Sequence, residues 1–259
     1  MTFILKDSYF NPDEIDIPVI GIASDLAAHD SGLHSHQKAQ LLYAPSGCMT
    51  VTSAERQYIL PPNRAFWIPA NTLHRVIMRN VVAYRSIYFD IHQFSNLPGQ
   101  LQLFNVNGLF KELIERVSFW EWDRPFELQQ NILHVFLDEL NNASTDNLVL
   151  TMPKDLRVQS FVEQWNKGES MPPFLKEFSK LAAASEKTIT RIFIKETGMP
   201  YQDWRQQWRL HKAIELLAEG RNVGETAFDL EFSSDSAFID FFKKHLGETP
   251  SKYFPKTAG

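Results

Sequence analysis

The chain has 259 residues, 44% hydrophobic and 22% charged, with a formal net charge of −5, an ordinary globular composition with enough apolar residues for a packed core. Cys48 is its single cysteine, which excludes an internal disulfide and a secreted, disulfide-stapled scaffold. The opening stretch MTFILKDSYFNPDEIDIP is acidic without an apolar run of leader length, and no run of about 18 apolar residues is present to span a membrane; the expectation is a soluble, cytoplasmic protein.

Residues 20–92 predict strands. The runs QLLYAP, CMTVTS, AFWIPA, HRVIMR and YRSIYFDI are short, rich in β-branched and aromatic residues, and separated by the turn signals PSG, PPN and PAN. Their spacing suggests a sandwich or small barrel. Near residue 104 the period changes. Leu109, Leu113, Ile114 and Val117, then Ile132, Leu133, Phe136, Leu137 and Leu140, recur three and four apart and predict two helices within 107–142. These helices can pack on the barrel or form a dimer seam. NNASTDNLVLTMP at 141–153 reads as a linker, closing a first domain at 1–140 and opening a second at 154–259.

The second domain predicts helices throughout, with Gly and Pro at their ends. Charge divides unevenly: residues 1–171 hold 13 Lys and Arg against 19 Asp and Glu, and residues 172–259 hold 13 against 12. That balance permits a nucleic-acid-binding tail despite the acidic total. Within the tail, FSKLAAASEKTITRIFIKETG (178–198) and AFDLEFSSDSAFIDFFKKHLG (227–247) share one form. Each is a short helix, a small-residue turn, a serine placed as N-cap, a longer amphipathic helix and a glycine stop. Ile189, Ile192 and Phe193 in the first, and Phe238, Phe241 and Phe242 in the second, are the expected buried positions. YQDWRQQWRLHKAIELLAEG (201–220) is one long helix between them. The reading is two helix-turn-helix units, about 174–197 and 223–246, strutted by a helix at 201–219.

Facing assigns the candidate double-stranded DNA contacts. Ser185, Glu186, Lys187, Thr190, Arg191 and Lys195 lie off the apolar stripe of the first recognition helix; Ser234, Asp235, Ser236, Ile239, Asp240, Lys243 and Lys244 lie off that of the second. Arg191 and Lys187 suit guanine edges or phosphates, Thr190 a thymine methyl, and Asp235 or Asp240 a cytosine amine. Ser185, Ser234 and Lys244 suit helix capping or backbone phosphates. Arg205, Arg209, His211 and His245 are expected in solvent or as caps.

Residues 154–256 resemble the DNA-binding region of the AraC/XylS family of bacterial transcription regulators. The signature is SAFIDFFKKHLGETPSKYF at 236–254, supported by Ser185, ITRIF and the following ETG in the first unit. The chain departs from the family with Glu231 where many members have Gly and Asp240 where many have Arg. An acidic group there repels phosphate, so the first unit is expected to carry more of the binding energy than the second.

In the first domain His34 and His36 are two apart, on one side of a strand, with Gln40 on the same side, and His74 follows a turn. Three such imidazoles form a site for Fe, Ni, Zn or Mn, or hydrogen-bond an effector in a polar pocket. This half resembles a cupin barrel. His34, His36, Gln40 and Gly47 follow its first motif with Gln for Glu; Pro69, Asn71 and His74 follow its second with Asn for Gly. Tyr43 and Trp67 are candidate pocket walls, and Cys48 is a small buried hydrophobe.

The expected fold is therefore α+β multidomain: an N-terminal cupin-type β-barrel with accessory helices, then an all-α domain with two helix-turn-helix motifs. The expected function is a sequence-specific transcription regulator, not an enzyme, whose barrel senses a small molecule or metal. The resemblance implies DNA and an effector as partners, a homodimer, and RNA polymerase if the protein is an activator. A metal-dependent cupin enzyme and a constitutive DNA binder with a purely structural barrel are the alternatives.

Overall fold

Short apolar runs between residues 19 and 105 form β1 (Val19–Leu26), β2 (His29–Asp30), β3 (Ala39–Ser46), β4 (Met49–Ser53), β5 (Arg56–Leu60), β6 (Arg64–Ile68), β7 (Arg75–Met78), β8 (Val82–Phe89) and β9 (Gln102–Asn105). Two helices follow, α1 (Gly108–Ser118) and α2 (Gln130–Asn142), then β10 (Thr145–Asp146) and β11 (Val149–Thr151). The remainder is helical: α3 (Leu156–Lys167), α4 (Leu175–Leu181), α5 (Glu186–Thr197), α6 (Tyr201–Ala218), α7 (Val223–Asp229), α8 (Asp235–Leu246) and α9 (Pro250–Tyr253). The structure, a computed structural model, describes residues 10–79, 82–168 and 170–254. The stretch read as lacking a leader lies partly outside these. Among the described residues no helix is long and apolar enough to cross a membrane.

Two compact units result. Among the described residues, the sheet domain holds those up to Ser53 together with Ile59–Leu148, and the helical domain holds Ala54–Tyr58 and those from Val149 onward.

In the sheet domain two antiparallel sheets stand where a cupin-type barrel is expected. One has the strand order β1-β8-β3-β6-β9-β10; β5, β4, β7 and β2 are neighbours in that order in the other. Residues Ala39–Ala44 of β3 are all buried, because both faces of this strand are covered. Successive side chains point to opposite faces. Leu41, Tyr43, Trp67, Ile87 and Phe89 therefore meet Phe110, Ile114 and Val117 of α1 and Leu133, Phe136 and Leu140 of α2 in one apolar cluster. Gln40, Ser86 and Tyr88 lie on the other face and bond one another. Each large side chain sealed in this cluster contributes roughly 1.5–3 kcal/mol over an exposed one. Asn107 caps α1 by accepting from the Phe110 N–H at 2.8 Å.

The expected linker at 141–153 is not an open connection. Asn141 and Asn142 finish α2, Thr145–Asp146 pairs with β9, and Val149–Thr151 pairs with Tyr58–Arg56. Backbone pairing to distant strands, which local composition does not register, orders it.

In the helical domain Trp165, Phe178, Phe193, Tyr201 and Trp204 form an aromatic centre, each 3% exposed or less. Trp204 Nε1 donates to the Thr151 carbonyl at 2.8 Å, so the entering strand is tied to α6. Ser185 and Ser234 cap α5 and α8, accepting from Thr188 N–H (3.1 Å) and Ala237 N–H (3.2 Å). Gly198 and Gly247 stop these helices in the left-handed conformation, at φ 80° and 78°, where glycine carries no Cβ penalty.

His211, expected in solvent, is instead buried in α6; its Nε2 has no hydrogen-bond partner among the described residues. Burial pushes its pKa down to about 4. The unfolded chain, with a histidine pKa near 6.5, binds a proton over that interval and the folded chain does not. Stability thus falls as pH drops from about 6.5 to about 4, by at most about 1.4 kcal/mol per pH unit, and His211 adds no slope outside the window. Urea melts at pH 7, 6, 5 and 4.5 are expected to show a shallower pH slope for His211→Leu than for the unaltered chain. Equal slopes would exclude this assignment.

Candidate functional site

The sheet domain encloses a cavity of about 500 Å³. Its apolar wall includes Ile22, Leu26, Val76 and Met78, and its polar wall His34, His36, Gln40, Tyr84 and Tyr88. The backbone brings the three expected histidines together. His34 and His74 pair reciprocally, each N–H donating to the other's carbonyl at 2.9 Å. The turn before His74 is fixed by Asn71, whose N–H donates to the His36 carbonyl at 2.8 Å and whose φ is 59°. Asparagine is among the few side chains that tolerate this conformation, so it can stand where the cupin pattern has glycine.

One ring nitrogen from each of His34, His36 and His74 lies within 4.8 Å of the others. The Nδ1 atoms approach the carbonyls of Gly32 (3.1 Å), Lys38 (2.5 Å) and Thr72 (2.9 Å). A carbonyl only accepts, so each Nδ1 carries the proton and each Nε2 the lone pair. Burial, opposed by these backbone bonds, pushes His74 down to about 4 and His36 below its ordinary value. His36 and His74 are therefore neutral near pH 7.

Gln40 stands opposite Tyr88 in the β3–β8 register. Its Oε1 lies 3.1 Å from His36 Nε2, and its Nε2 donates to Ser86 Oγ and Tyr88 Oη, both at 2.9 Å. Tyr84, Ser86 and Tyr88 are members of this site that the sequence reading passed over. They recur every second residue in AYRSIYF, a polar row on one face of the strand, and that alternation is the available signal. Tyr43 and Trp67, the expected pocket walls, stand elsewhere. Both point to the opposite face, beneath α1 and α2, where burial raises Tyr43 to about 12. Trp67 Nε1 donates to the Pro98 carbonyl at 2.7 Å. Neither lines the cavity.

In the helical domain α5 exposes Glu186, Lys187, Arg191 and Lys195, with Ser185 exposed at its cap. Thr190 is half-buried, its hydroxyl donating to the Glu186 carbonyl at 2.9 Å; its methyl is what remains to offer a ligand. Helix α8 exposes Asp235, Ser236, Asp240, Lys243 and Lys244, with Ser234 exposed at its cap and Ile239 half-buried. Phe241 is also half-buried, whereas Phe238 and Phe242 are sealed.

Arg205 and Arg209, expected in solvent, are 3% and 7% exposed. Arg205 donates to the Pro172 carbonyl (2.6 Å) and to Glu231 (3.2 Å). Arg209 donates through Nε and Nη2 to the Leu230 carbonyl. Their partners lie on other segments, which is why α6 alone reads as an amphipathic helix with polar arginines. His245 packs on the Phe241 ring at 4.6 Å.

Comparison with known proteins gives a family match for each domain. Residues 16–149 match the model of the AraC-like ligand binding domain, and residues 178–256 that of a helix-turn-helix domain. The chain is 30% identical over 229 residues to the HTH-type transcriptional regulator NimR of Escherichia coli (strain K12), covering 87% of this chain and 83% of that one. It is 25% identical over 207 residues to the thermoregulatory protein LcrF of Yersinia pestis, covering 74% and 72%. Among solved structures, fatty-acid-bound ToxT from Vibrio cholerae aligns over 95% of this chain and 98% of that one, at 12% identity and a TM-score of 0.38. With a ligand-binding domain of the AraC type joined to two Ser-capped helix-turn-helix units, the chain belongs to the AraC family of transcription regulators.

Proposed function

We propose that the sheet-domain cavity takes the effector and that α5 and α8 read the operator. The observation that carries this is the pairing of a 500 Å³ cavity with both polar and apolar lining and two matched Ser-capped helices held around α6. An 18-residue helix is about 27 Å long, a stiff strut between two probes suited to successive turns of one groove. Occupancy of the cavity shifts the population of DNA-competent molecules, so effector and operator must each raise or lower the other's affinity by the same factor. Titrating candidate effectors against operator affinity tests the reading. Coupling in one direction only would exclude it.

The protein works as an activator in the cytoplasm, contacting RNA polymerase, and as a homodimer. VirF, a virulence regulon transcriptional activator of Yersinia enterocolitica, supports activation. The outward row Leu109, Glu112 and Arg116 on α1, with Phe119 at its C-cap, supports self-association.

The first recognition helix supplies more of the DNA affinity than the second. Three cations stand beside one exposed acid on its outward side up to Lys195, whereas Asp235 and Asp240 offset Lys243 and Lys244 on α8. Arg191→Ala is expected to weaken operator binding roughly 10- to 100-fold, the loss of about 1–3 kcal/mol typical of a base-reading arginine. Lys243→Ala is expected to lose less, and each lost phosphate contact lowers the salt slope by about 1. Affinities from 50 to 200 mM salt check this; equal losses for the two variants would refute the asymmetry.

A further inference from the structure

We propose that Glu196 is a positioning residue for DNA reading: from the last turn of α5 it locks the first recognition helix to the segment that opens α3. The proposal rests on the reading of α5 as an operator-reading helix and assigns what holds that helix in its pose.

The carboxylate is placed against local rules. Glu196 stands in the last turn of α5, where the helix's own macrodipole opposes a negative charge. Its Oε2 accepts the Lys154 N–H at 2.7 Å and the Asp155 N–H at 2.9 Å. Asp155 is the N-cap of α3, and its side chain accepts from the Arg157 N–H. In a capping box, a Glu or Gln three residues on would satisfy the N-cap's own N–H. Val158 stands there, and Glu196 takes that role from 41 residues away. The positive end of α3 thereby offsets the unfavourable end of α5. Among the described residues the other side-chain hydrogen bonds of α5 stay local: Ser185 with Thr188, Thr190 with Glu186, and Thr197 with Phe193 and Met199. Ile189, Ile192 and Phe193 bury the inner face, but apolar burial is non-directional. Glu196 supplies the directional tie.

The segment that Glu196 grips is itself anchored within the helical domain. The Thr151 carbonyl accepts from Trp204 Nε1. Val149–Thr151 pairs with Tyr58–Arg56, and the Met152 N–H extends the ladder by donating to the Glu55 carbonyl at 2.7 Å. The exposed Lys154–Glu55 ion pair adds a weaker tie. Residues Ala54–Tyr58 belong to the helical unit, although the chain on either side, up to Ser53 and from Ile59, belongs to the sheet domain. A paired ribbon passes on a displacement that a free linker would lose in its own flexibility. Lys187 lies nine residues before Glu196. That is about 14 Å along the helix, so a tilt of roughly 10° at this joint moves Lys187 by about 2 Å, enough to break a hydrogen bond. A shift of β5 in response to an effector then reaches the bases read by α5 through Glu196.

The test uses full-length protein and an operator that the unaltered chain selects from random duplex DNA. The block of base pairs read by α5 is the one that Arg191→Ala relaxes. Glu196→Ala is expected to weaken operator binding roughly 10-fold, the loss of one good base contact. It is expected to flatten discrimination against base changes in the α5 block and to keep it in the α8 block. Because alanine can loosen the start of α3, Glu196→Gln supplies an independent arm. It keeps an acceptor oxygen at the same reach without the charge, and a loss of about 3-fold confined to the α5 block is expected. Operator is also expected to slow amide hydrogen exchange across Arg56–Tyr58 and Val149–Thr151 in the unaltered chain and not in Glu196→Ala. Discrimination unchanged in both blocks for both variants, or lost equally in both blocks, overturns the positioning role. Exchange that slows equally in the unaltered chain and in Glu196→Ala overturns the route through β5. If the unaltered chain selects no DNA, the reading of α5 falls and the proposal with it. If it selects an operator that both variants bind as it does, the reading of α5 stands and Glu196 has no part in it.

Discussion

Replacing Gly21 with alanine is expected to destabilise the sheet domain by about 3 kcal/mol, at the upper end of ordinary overpacking. Gly21 sits in β1 where the last turn of α1 crosses the sheet. A Cβ there would lie 2.0 Å from the Val117 carbonyl oxygen and 2.9 Å from the Ser118 Cα. These are backbone atoms of a buried helix end, with Val117 and Ser118 at 0% exposure, so no rotamer change yields room. The helix must lift, and with it the cluster that Val117, Ile114 and Phe110 form beneath β3 and β8. The displacement also pulls on Trp122, whose indole N–H donates to the Gly21 carbonyl at 3.0 Å. Thermal melts monitored through tryptophan fluorescence are expected to fall by roughly 6–12 °C. Gly99→Ala is the control, since nothing lies within 4 Å of its added Cβ, and it should melt like the unaltered chain. A Gly21→Ala variant as stable as Gly99→Ala would mean that α1 is free to shift.

The helical domain was legible where local rules decide the outcome. Ser185 and Ser234 cap, Gly198 and Gly247 stop, and apolar residues three and four apart face inward, all within one helix turn of sequence. The histidine cluster was legible for a similar reason: a spacing of two on an extended segment forces His34 and His36 to one side. What escaped was decided by distant partners. Tyr43 and Trp67 belong to strands buried on both faces, so their sequences are continuously apolar and carry no alternation to tell cavity from core. Thr145 and Val149 lie in segments too short to read as strands until Phe104 and Tyr58 pair with them. Glu231 adopts φ 55° and Ala183 φ 47°, one in each helix-turn-helix turn; the sequence showed only that the second lacked the usual glycine. The left-handed Glu231 is compensated in part by its ion pair with Arg205.

That turn is also where Arg209→Ala is expected to act, lowering the stability of the helical domain by about 3 kcal/mol and operator affinity at least 10-fold at temperatures where the chain remains folded. Two charged-donor hydrogen bonds converge on the Leu230 carbonyl, at 3.1 and 2.6 Å, and such bonds contribute about 1.5–3 kcal/mol each when buried. The guanidinium also lies 3.7 Å from the centroid of Phe232 and 5.8 Å from that of Phe241, a desolvated cation–π stack of about 2 kcal/mol. Burial lowers the arginine pKa only to about 10, so the group stays charged at neutral pH, and its burial cost offsets much of these gains. Leu230 ends α7 and Glu231 begins the turn into α8. Arg209 therefore fixes the second recognition helix to α6 without itself being exposed. Arg209→Lys retains the charge but not the planar fork or the flat stacking surface, and should fall between alanine and arginine in both measurements. Urea unfolding followed by the helical signal gives the stability arm, and operator titration at 10 °C gives the affinity arm. An alanine variant that loses stability yet binds the operator as tightly as the unaltered chain would show that α8 keeps its pose without the clamp, and that the turn's own left-handed residue suffices to aim it.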